Sequence, residues 1–259
     1  MNKNFGSYRL NTTILDENLK NKKGKNVFVQ LPEGLQQYTM EIKEWLEHTY
    51  ETIVFLEANP NYGACDLPAE QILQQLQIHA VIQIGHLPIP SMNITQYTVP
   101  VFFVNAESTL SVSSVVNKSL SKLSGTRIGL ISTAQHLHHL DEMKNILEKN
   151  NFSVVIGTGD NRMFSPGQVL GCNFTAATSI ANEIDSFLFV GTGFFHPLGL
   201  LLATDKTVVI ADPYANQVID SASLQEKKQQ LLRQRYGAIA FAKQAKTIGV
   251  IIGLKPGQM

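Results

Sequence analysis

The feature that most restricts the fold is an alternation of two kinds of segment, run through twice. Residues 26–31 form a short β-branched and aromatic run of the kind found in a buried parallel strand, closed by Pro32-Glu33-Gly34. Behind it, Met40, Ile42, Trp45 and Leu46 fall opposite Glu41, Lys43, Glu44 and Glu47, the pattern of an amphipathic helix. Strand-like runs then recur at 52–56, 79–84 and 99–104, with a helix carrying Ile72, Leu73 and Leu76 between the first two. The cycle restarts at 127–132, with Leu137, Leu140, Met143 and Leu147 as a helix face and further runs at 152–156, 187–190 and 207–211. Strands alternating with helices require crossover connections, hence a parallel sheet covered on both faces.

Landmarks in the two halves line up at a near-constant offset of about 107 residues: Cys65 with Cys172, His86 with His196, and 101–104 with 208–211. The reading is an internal duplication, an α/β chain of tandem parallel-sheet βαβ units. A polar lead spans 1–24, the first unit 25–108 and the second 109–220, with the Ser- and Val-rich stretch 105–124 as the seam. Residues 221–259 read as a linker helix, 224–246, and then the first strand of a third, truncated unit at 247–253, followed by a turn at 254–258. A single strand makes no sheet by itself.

Composition narrows the function. Twenty-one basic and 21 acidic residues cancel, which leaves no field to draw the chain onto nucleic acid or an acidic membrane. No apolar run reaches the roughly 18 residues of a membrane span. The lead, with Lys20, Lys22, Lys23 and Lys25, lacks the apolar core of a secretory signal. Two cysteines in 259 residues make no disulfide framework, so the chain reads as cytoplasmic.

Those two cysteines carry the chemistry. Cys65 lies in Asn61-Tyr62-Gly63-Ala64-Cys65-Asp66-Leu67, and Cys172 in Ser165-Pro166-Gly167-Gln168-Val169-Leu170-Gly171-Cys172-Asn173. Each follows a glycine and precedes an apolar-periodic segment, 69–76 or 176–184, which places the thiol near a helix N-terminus, where thiolate is favoured. A lone cysteine is more often a small buried hydrophobe. Equivalent places in two copies, on loops at the C-terminal ends of strands, favour a site. Two thiolates do not close a tetrahedral zinc site, whereas three, one per copy, would hold three irons of a 4Fe–4S cluster and leave the fourth open.

Other candidates weigh less. His86 and His196 sit at equivalent strand ends and suit either a site or a hydrogen-bonded turn. His136 and His139 are one helical turn apart, but no carboxylate or cysteine at matching spacing joins them, so His136, His138 and His139 read as a solvated helix face. Gly191-Thr192-Gly193 has His196 where a dinucleotide fingerprint needs its third glycine. Lys227, Lys228, Arg233, Arg235 and Lys243 read as the wet face of the linker helix.

Taken together, Val29-Gln30-Leu31-Pro32-Glu33-Gly34-Leu35, Tyr62-Gly63-Ala64-Cys65, Ile84-Gly85-His86, the Cys172 motif and Asp212-Pro213-Tyr214 resemble the radical-generating subunit of diphthamide synthase, from about Leu10 onward. The resemblance implies a triplicated α/β fold with one cluster cysteine per unit, usually dimeric, as a homodimer or heterodimer. It implies a 4Fe–4S enzyme that uses S-adenosylmethionine and an electron-donor protein. The 3-amino-3-carboxypropyl group so released goes to a histidine of translation elongation factor 2. By motif, Cys65 and Cys172 are cluster ligands, and Gly34, Gly63, His86, Gly193, His196 and Asp212 line the pocket. The third cysteine that the resemblance implies is not among these 259 residues, so this chain alone is expected to bind a cluster weakly or not at all, with the transfer impaired. Quinolinate synthase has a similar triplicated fold but different cysteine motifs, and a non-catalytic partner subunit of the same complex is the other alternative.

Overall fold

A computed structural model describes residues 2–20 and 23–253. The chain divides into a first unit ending at Thr109 and a second, Leu110–Ile252; the break falls inside the Ser- and Val-rich stretch.

In chain order the first unit contains β1 (Asn2–Phe5), β2 (Tyr8–Asn11), α1 (Thr13–Leu19), β3 (Asn26–Gln30), α2 (Thr39–Tyr50), β4 (Ile53–Leu56), α3 (Glu70–Gln75), β5 (Ala80–Ile84), β6 (Val101–Val104) and β7 (Ala106–Ser108). Its main sheet has the order β4-β3-β5-β6, parallel throughout. Side chains alternate across it as the pleat demands. Val27, Val29, Ile82 and Ile84 enter one core with Ile42 and Leu46 of α2, while Phe28 and Val81 enter another with Leu67 and Leu73. Met40 and Ile72, read as core-facing, are exposed, because α2 and α3 each present a narrower stripe than their apolar content suggests.

The polar lead needs correction. Its β1 and β2 join β7 in a small antiparallel sheet, and Phe5, Leu10, Leu15 and Leu19 are buried in the first unit's core. The four apolar anchors are spaced among polar residues, so mean composition hid them. Each contributes on the order of 1.5–3 kcal/mol by burial.

The second unit contains α4 (Ser113–Ser119), β8 (Arg127–Ser132), α5 (Leu140–Lys149), β9 (Ser153–Val155), α6 (Thr175–Thr178), β10 (Ser186–Val190), α7 (Phe195–Ala203), β11 (Thr207–Asp212), β12 (Gln217–Ile219) and α8 (Ser221–Ala242). Its sheet runs β9-β8-β10-β11-β12, with β12 the antiparallel edge. Phe187 and Phe189 of β10 face one core, Leu188 and Val190 the other. Helix α8 adds Leu224 to the Phe187 core, so it belongs to the second unit. Lys227 lies over the Phe194 ring at 4.3 Å, and Lys228 donates to the Leu201 carbonyl at 3.1 Å; these two cations are therefore more than a solvated face.

The two parallel sheets share one strand order: second, first, third, fourth. Residues 247–253, read as the opening strand of a third unit, form no strand, and Ile248, Val250, Ile251 and Ile252 are exposed. An extended apolar run becomes a strand only when a neighbour supplies the ladder, and no described strand pairs with it. The turn read at 254–258 lies outside the described residues.

Candidate functional site

Both cysteines sit on the connection that follows the second strand of their sheet, β4 or β9, and each connection passes over the C-terminal end of the first strand. In the first unit the loop is pinned at its start, where Asn61 N donates to the Leu31 carbonyl at 3.0 Å. Two buried glutamines then hold it from below. Gln30 Nε2 donates to the Asp66 carbonyl at 2.8 Å and to Glu57 Oε2 at 2.5 Å, and Gln83 Nε2 donates to the Gly63 carbonyl at 3.2 Å. The turn closes on itself through Asp66 N to the Gly63 carbonyl and Tyr62 N to Asp66 Oδ2, at 2.9 and 3.0 Å. A Cβ built on Gly63 would stand 3.6 Å from Cys65 Sγ, an ordinary contact. Cys65 is half-buried, and Tyr62 beside it is 85% exposed.

The Cys172 loop reaches a similar place with different residues. Ser132 N donates to the Gly167 carbonyl at 2.8 Å and Val169 N returns to the Ser132 carbonyl at 3.0 Å, extending the end of β8 by a bridge. Buried Gln168 accepts from Phe164 N and Ser165 N through Oε1, at 2.9 and 3.2 Å. Leu170 and Asn173 exchange backbone hydrogen bonds, so Gly171 and Cys172 form the tip of a tight turn. Buried Asn173 donates to both carboxylate oxygens of Asp160, at 2.9 and 3.1 Å, while its own Oδ1 accepts from Thr175. Cys172 is exposed. Arg162 pairs with Asp160 at 2.9 Å, and its pKa is raised by that carboxylate first and by the charge of Cys172 in smaller part.

Proximity of the thiols to helix N-termini needs correction. Helix α3 starts at Glu70 and α6 at Thr175, and they have six and four residues. Such short stacks of peptide dipoles, starting several residues after the sulfur, exert little field on it. What the two cysteines share is a rigid loop above a parallel sheet's C-terminal edge, the place where open α/β sheets keep ligands.

His86 follows β5 and His196 opens α7 after β10, so both stand beyond the third strand. Burial lowers the His86 pKa to about 4, with the Asp66 carboxylate partly opposing. Its Nδ1 meets the Asn61 side-chain amide at 3.3 Å. Burial alone lowers that of His196 to about 4. The His196 ring stacks on Phe189 at 6.3 Å and meets the Phe195 ring edge-on at 5.2 Å. Both imidazoles are neutral at physiological pH. Gly193, at φ 76, stands in open space; Gly34 faces only the Tyr8 hydroxyl. Asp212 ends β11, where its carboxylate accepts from Thr192 Oγ1 at 2.8 Å and from the backbone N–H groups of Tyr214 and Ala215.

The three-histidine run is a solvated face only in part: His138 is exposed and His139 half-buried, whereas His136 is buried. His136 is 1% exposed, because residues 134–139 form a 3-10 turn packed beneath Tyr214 ahead of α5. His139 Nδ1 pairs with Glu142 Oε2 at 3.0 Å, and Glu142 also accepts from Ser113.

Gln30, Gln83, Asn61, Gln168 and Arg162 escaped the sequence reading. The available signal was a glutamine inside each of two otherwise apolar strand runs, Val27-Phe28-Val29-Gln30 and Val81-Ile82-Gln83-Ile84. A buried amide persists only where it is hydrogen-bonded to something.

A family model described as diphthamide synthesis protein matches residues 31–259. The chain is 40% identical over 250 residues to 2-(3-amino-3-carboxypropyl)histidine synthase of Pyrococcus horikoshii, covering 95% of this chain and 68% of that protein. Against subunit 1 of the synthase of that name in Schizosaccharomyces pombe it is 27% identical over 241 residues, covering 90% of this chain and 53% of that protein. The crystal structure of Dph2 from Pyrococcus horikoshii with a 4Fe-4S cluster matches with a TM-score of 0.80 at 37% identity, covering 99% of this chain and 71% of that one.

Proposed function

The chain belongs to the diphthamide synthesis family, and on that premise we propose that it acts in the first step of diphthamide formation, the transfer of a 3-amino-3-carboxypropyl group from S-adenosylmethionine to a histidine of translation elongation factor 2. The transfer breaks the bond between the sulfonium sulfur and the γ-carbon and makes a carbon–carbon bond to the imidazole ring. Methylthioadenosine leaves with the sulfur's electron pair, and one proton is released from the ring carbon. The observation that carries the reading is the likeness in fold and sequence to a cluster-bearing Dph2 over nearly the whole chain.

Donor chemistry fits an iron–sulfur cluster: soft thiols, one exposed and one half-buried, on rigid loops of equivalent position. Cys65 and Cys172 would each ligate one iron. A reduced 4Fe–4S cluster, when bound, would supply the electron that opens the sulfur–carbon bond and would take one back as the alkylated ring loses its proton, so the transfer is redox-neutral overall. The chain's own residues hold the surroundings. His86 and His196 keep neutral rings at the strand ends, so no imidazolium repels the sulfonium of the substrate. The Asp212 carboxylate is held by three donors in a fixed orientation. Gly34 and Gly63 in the first unit, and Gly193 in the second, each leave room beside their own loop, as the motif suggests. Among the described residues no helix is long and apolar enough to cross a membrane. The reading includes a cytoplasmic setting, an electron-donor protein, and a partner subunit in a homodimer or heterodimer.

The test is anaerobic reconstitution with iron and sulfide, followed by transfer of radiolabel from the carboxypropyl carbons to elongation factor 2. Label in the target histidine, lost in both Cys65→Ser and Cys172→Ser, supports the reading. Binding of the factor with no label transfer in the presence of reductant overturns it in favour of a docking subunit.

A further inference from the structure

The first sheet carries two amides where its sequence pattern calls for apolar residues. Gln30 ends β3 and Gln83 lies next to the end of β5; they are register partners on adjacent parallel strands. Alternation puts both on the face occupied by Phe28, Val81 and Leu67. Exposure of Gln30 is 1% and of Gln83 0%. Burying a primary amide in a sheet is costly unless its hydrogen bonds are made.

Every hydrogen bond these amide nitrogens make is made to each other or to the connection around Cys65. Gln83 Nε2 donates to Gln30 Oε1 at 3.3 Å and to the Gly63 carbonyl at 3.2 Å. Gln30 Nε2 donates to the Asp66 carbonyl and to Glu57. Cys65 lies between the two held carbonyls. Gln83 Oε1, by contrast, is buried and has no partner. Pure core stability would not favour a side chain that leaves its acceptor unsatisfied; donation to the loop is what the residue supplies.

We propose that Gln30 and Gln83 are positioning residues that fix the Cys65 sulfur by gripping the Gly63 and Asp66 carbonyls from the sheet beneath. The inference rests on the reading of Cys65 as a functional thiol. Its test needs no cluster, so the two can fail separately. Cys172, in the other unit, is an internal reference.

The experiment follows alkylation of both cysteines by iodoacetamide in the reduced, iron-free full chain, by peptide mass spectrometry, for Gln83→Met, Gln83→Glu and Gln30→Met. Met keeps the volume, and Glu keeps the shape while losing the N–H donors. Loss of one loop hydrogen bond should raise the Cys65-to-Cys172 rate ratio about five- to tenfold. Ile82→Val, in the same strand but facing the other core, serves as the control and should leave the ratio unchanged. An unchanged ratio in all three glutamine variants overturns the proposal. An equal rise in Ile82→Val also overturns it, as does failure of all three variants to fold, since either would make the amides general supports of the core. Iron and sulfide content after reconstitution is then read separately. A raised alkylation ratio together with iron and sulfide uptake that Cys65→Ser leaves unchanged sinks the cluster reading while leaving the positioning role standing.

Discussion

Acidification should weaken the second unit through His136, by an amount that follows from its burial. The ring is 1% exposed, its Nδ1 has no hydrogen-bond partner, and its pKa is lowered to about 4 by burial first, then by His139 and His138, with Asp212 partly opposing. In the unfolded chain the same ring titrates near 6.5. A folded pKa below the unfolded one means that the unfolded state binds the proton first, so stability falls as pH drops below about 6.5 and levels off below about 4. Between pH 7.5 and 5.0 the linkage relation gives a loss of about 2 kcal/mol from this residue. The perturbation is His136→Phe, which keeps a planar ring against Tyr214 and removes the titration. Urea unfolding at the two pH values, followed by circular dichroism, supplies the difference. The wild-type chain should lose about 2 kcal/mol more than the variant over that interval. Equal losses would show that His136 is charged or solvated in the folded state, and the reasoning would fail. His86 and His196 have the same sign and keep their contributions in both proteins.

Two glycine substitutions should part company. At Gly157 a Cβ would lie 2.0 Å from the Ala176 carbonyl oxygen, a backbone atom, so Gly157→Ala should cost about 3 kcal/mol and lower the second unit's melting temperature by roughly 10 °C, measured by calorimetry. At Gly171 the Cβ would meet the Phe195 ring at 2.4 Å, but that ring is 70% exposed and can swing away; Gly171→Ala should leave the melt within about 2 °C while speeding alkylation of Cys172. Arg162→Gln breaks an exposed ion pair with Asp160 and should change stability by less than about 1 kcal/mol in denaturant titration. With two cysteine thiols in these 259 residues, the reconstituted chain should hold fewer than four irons, and either cysteine-to-serine change should reduce that count further, by colorimetric iron assay.

The sheets were readable because a parallel strand buried on both faces announces itself as a continuous apolar run. The runs 127–132 and 187–190, and the helix face after the first of them, came through for that reason. Elements held by a few dispersed anchors did not: β1, β2 and α1 rest on Phe5, Leu10, Leu15 and Leu19, and α7 drew no helix reading because Gly191, Gly193 and Pro197 crowd its start. The equivalent positions of the cysteines were legible from a constant offset. What steadies them was not, because Gln30 and Gln83 reach the loop across long sequence separations that no local pattern records. The histidine run misled for a related reason: helical spacing says which residues share a side, while Tyr214, from a distant strand end, decides whether that side is covered.

The unequal shelter of the two sulfurs has a practical side. Cys172 stands at the tip of an open turn, and Cys65 is tucked half out of reach. Oxygen or peroxide in an aerobic preparation meets the second unit's thiol first and carries it toward sulfenic and then irreversible sulfinic acid while its counterpart is still intact. Purified material can thus keep its fold and one good ligand yet be useless for rebuilding a cluster, and a thiol count taken before any reconstitution would reveal it.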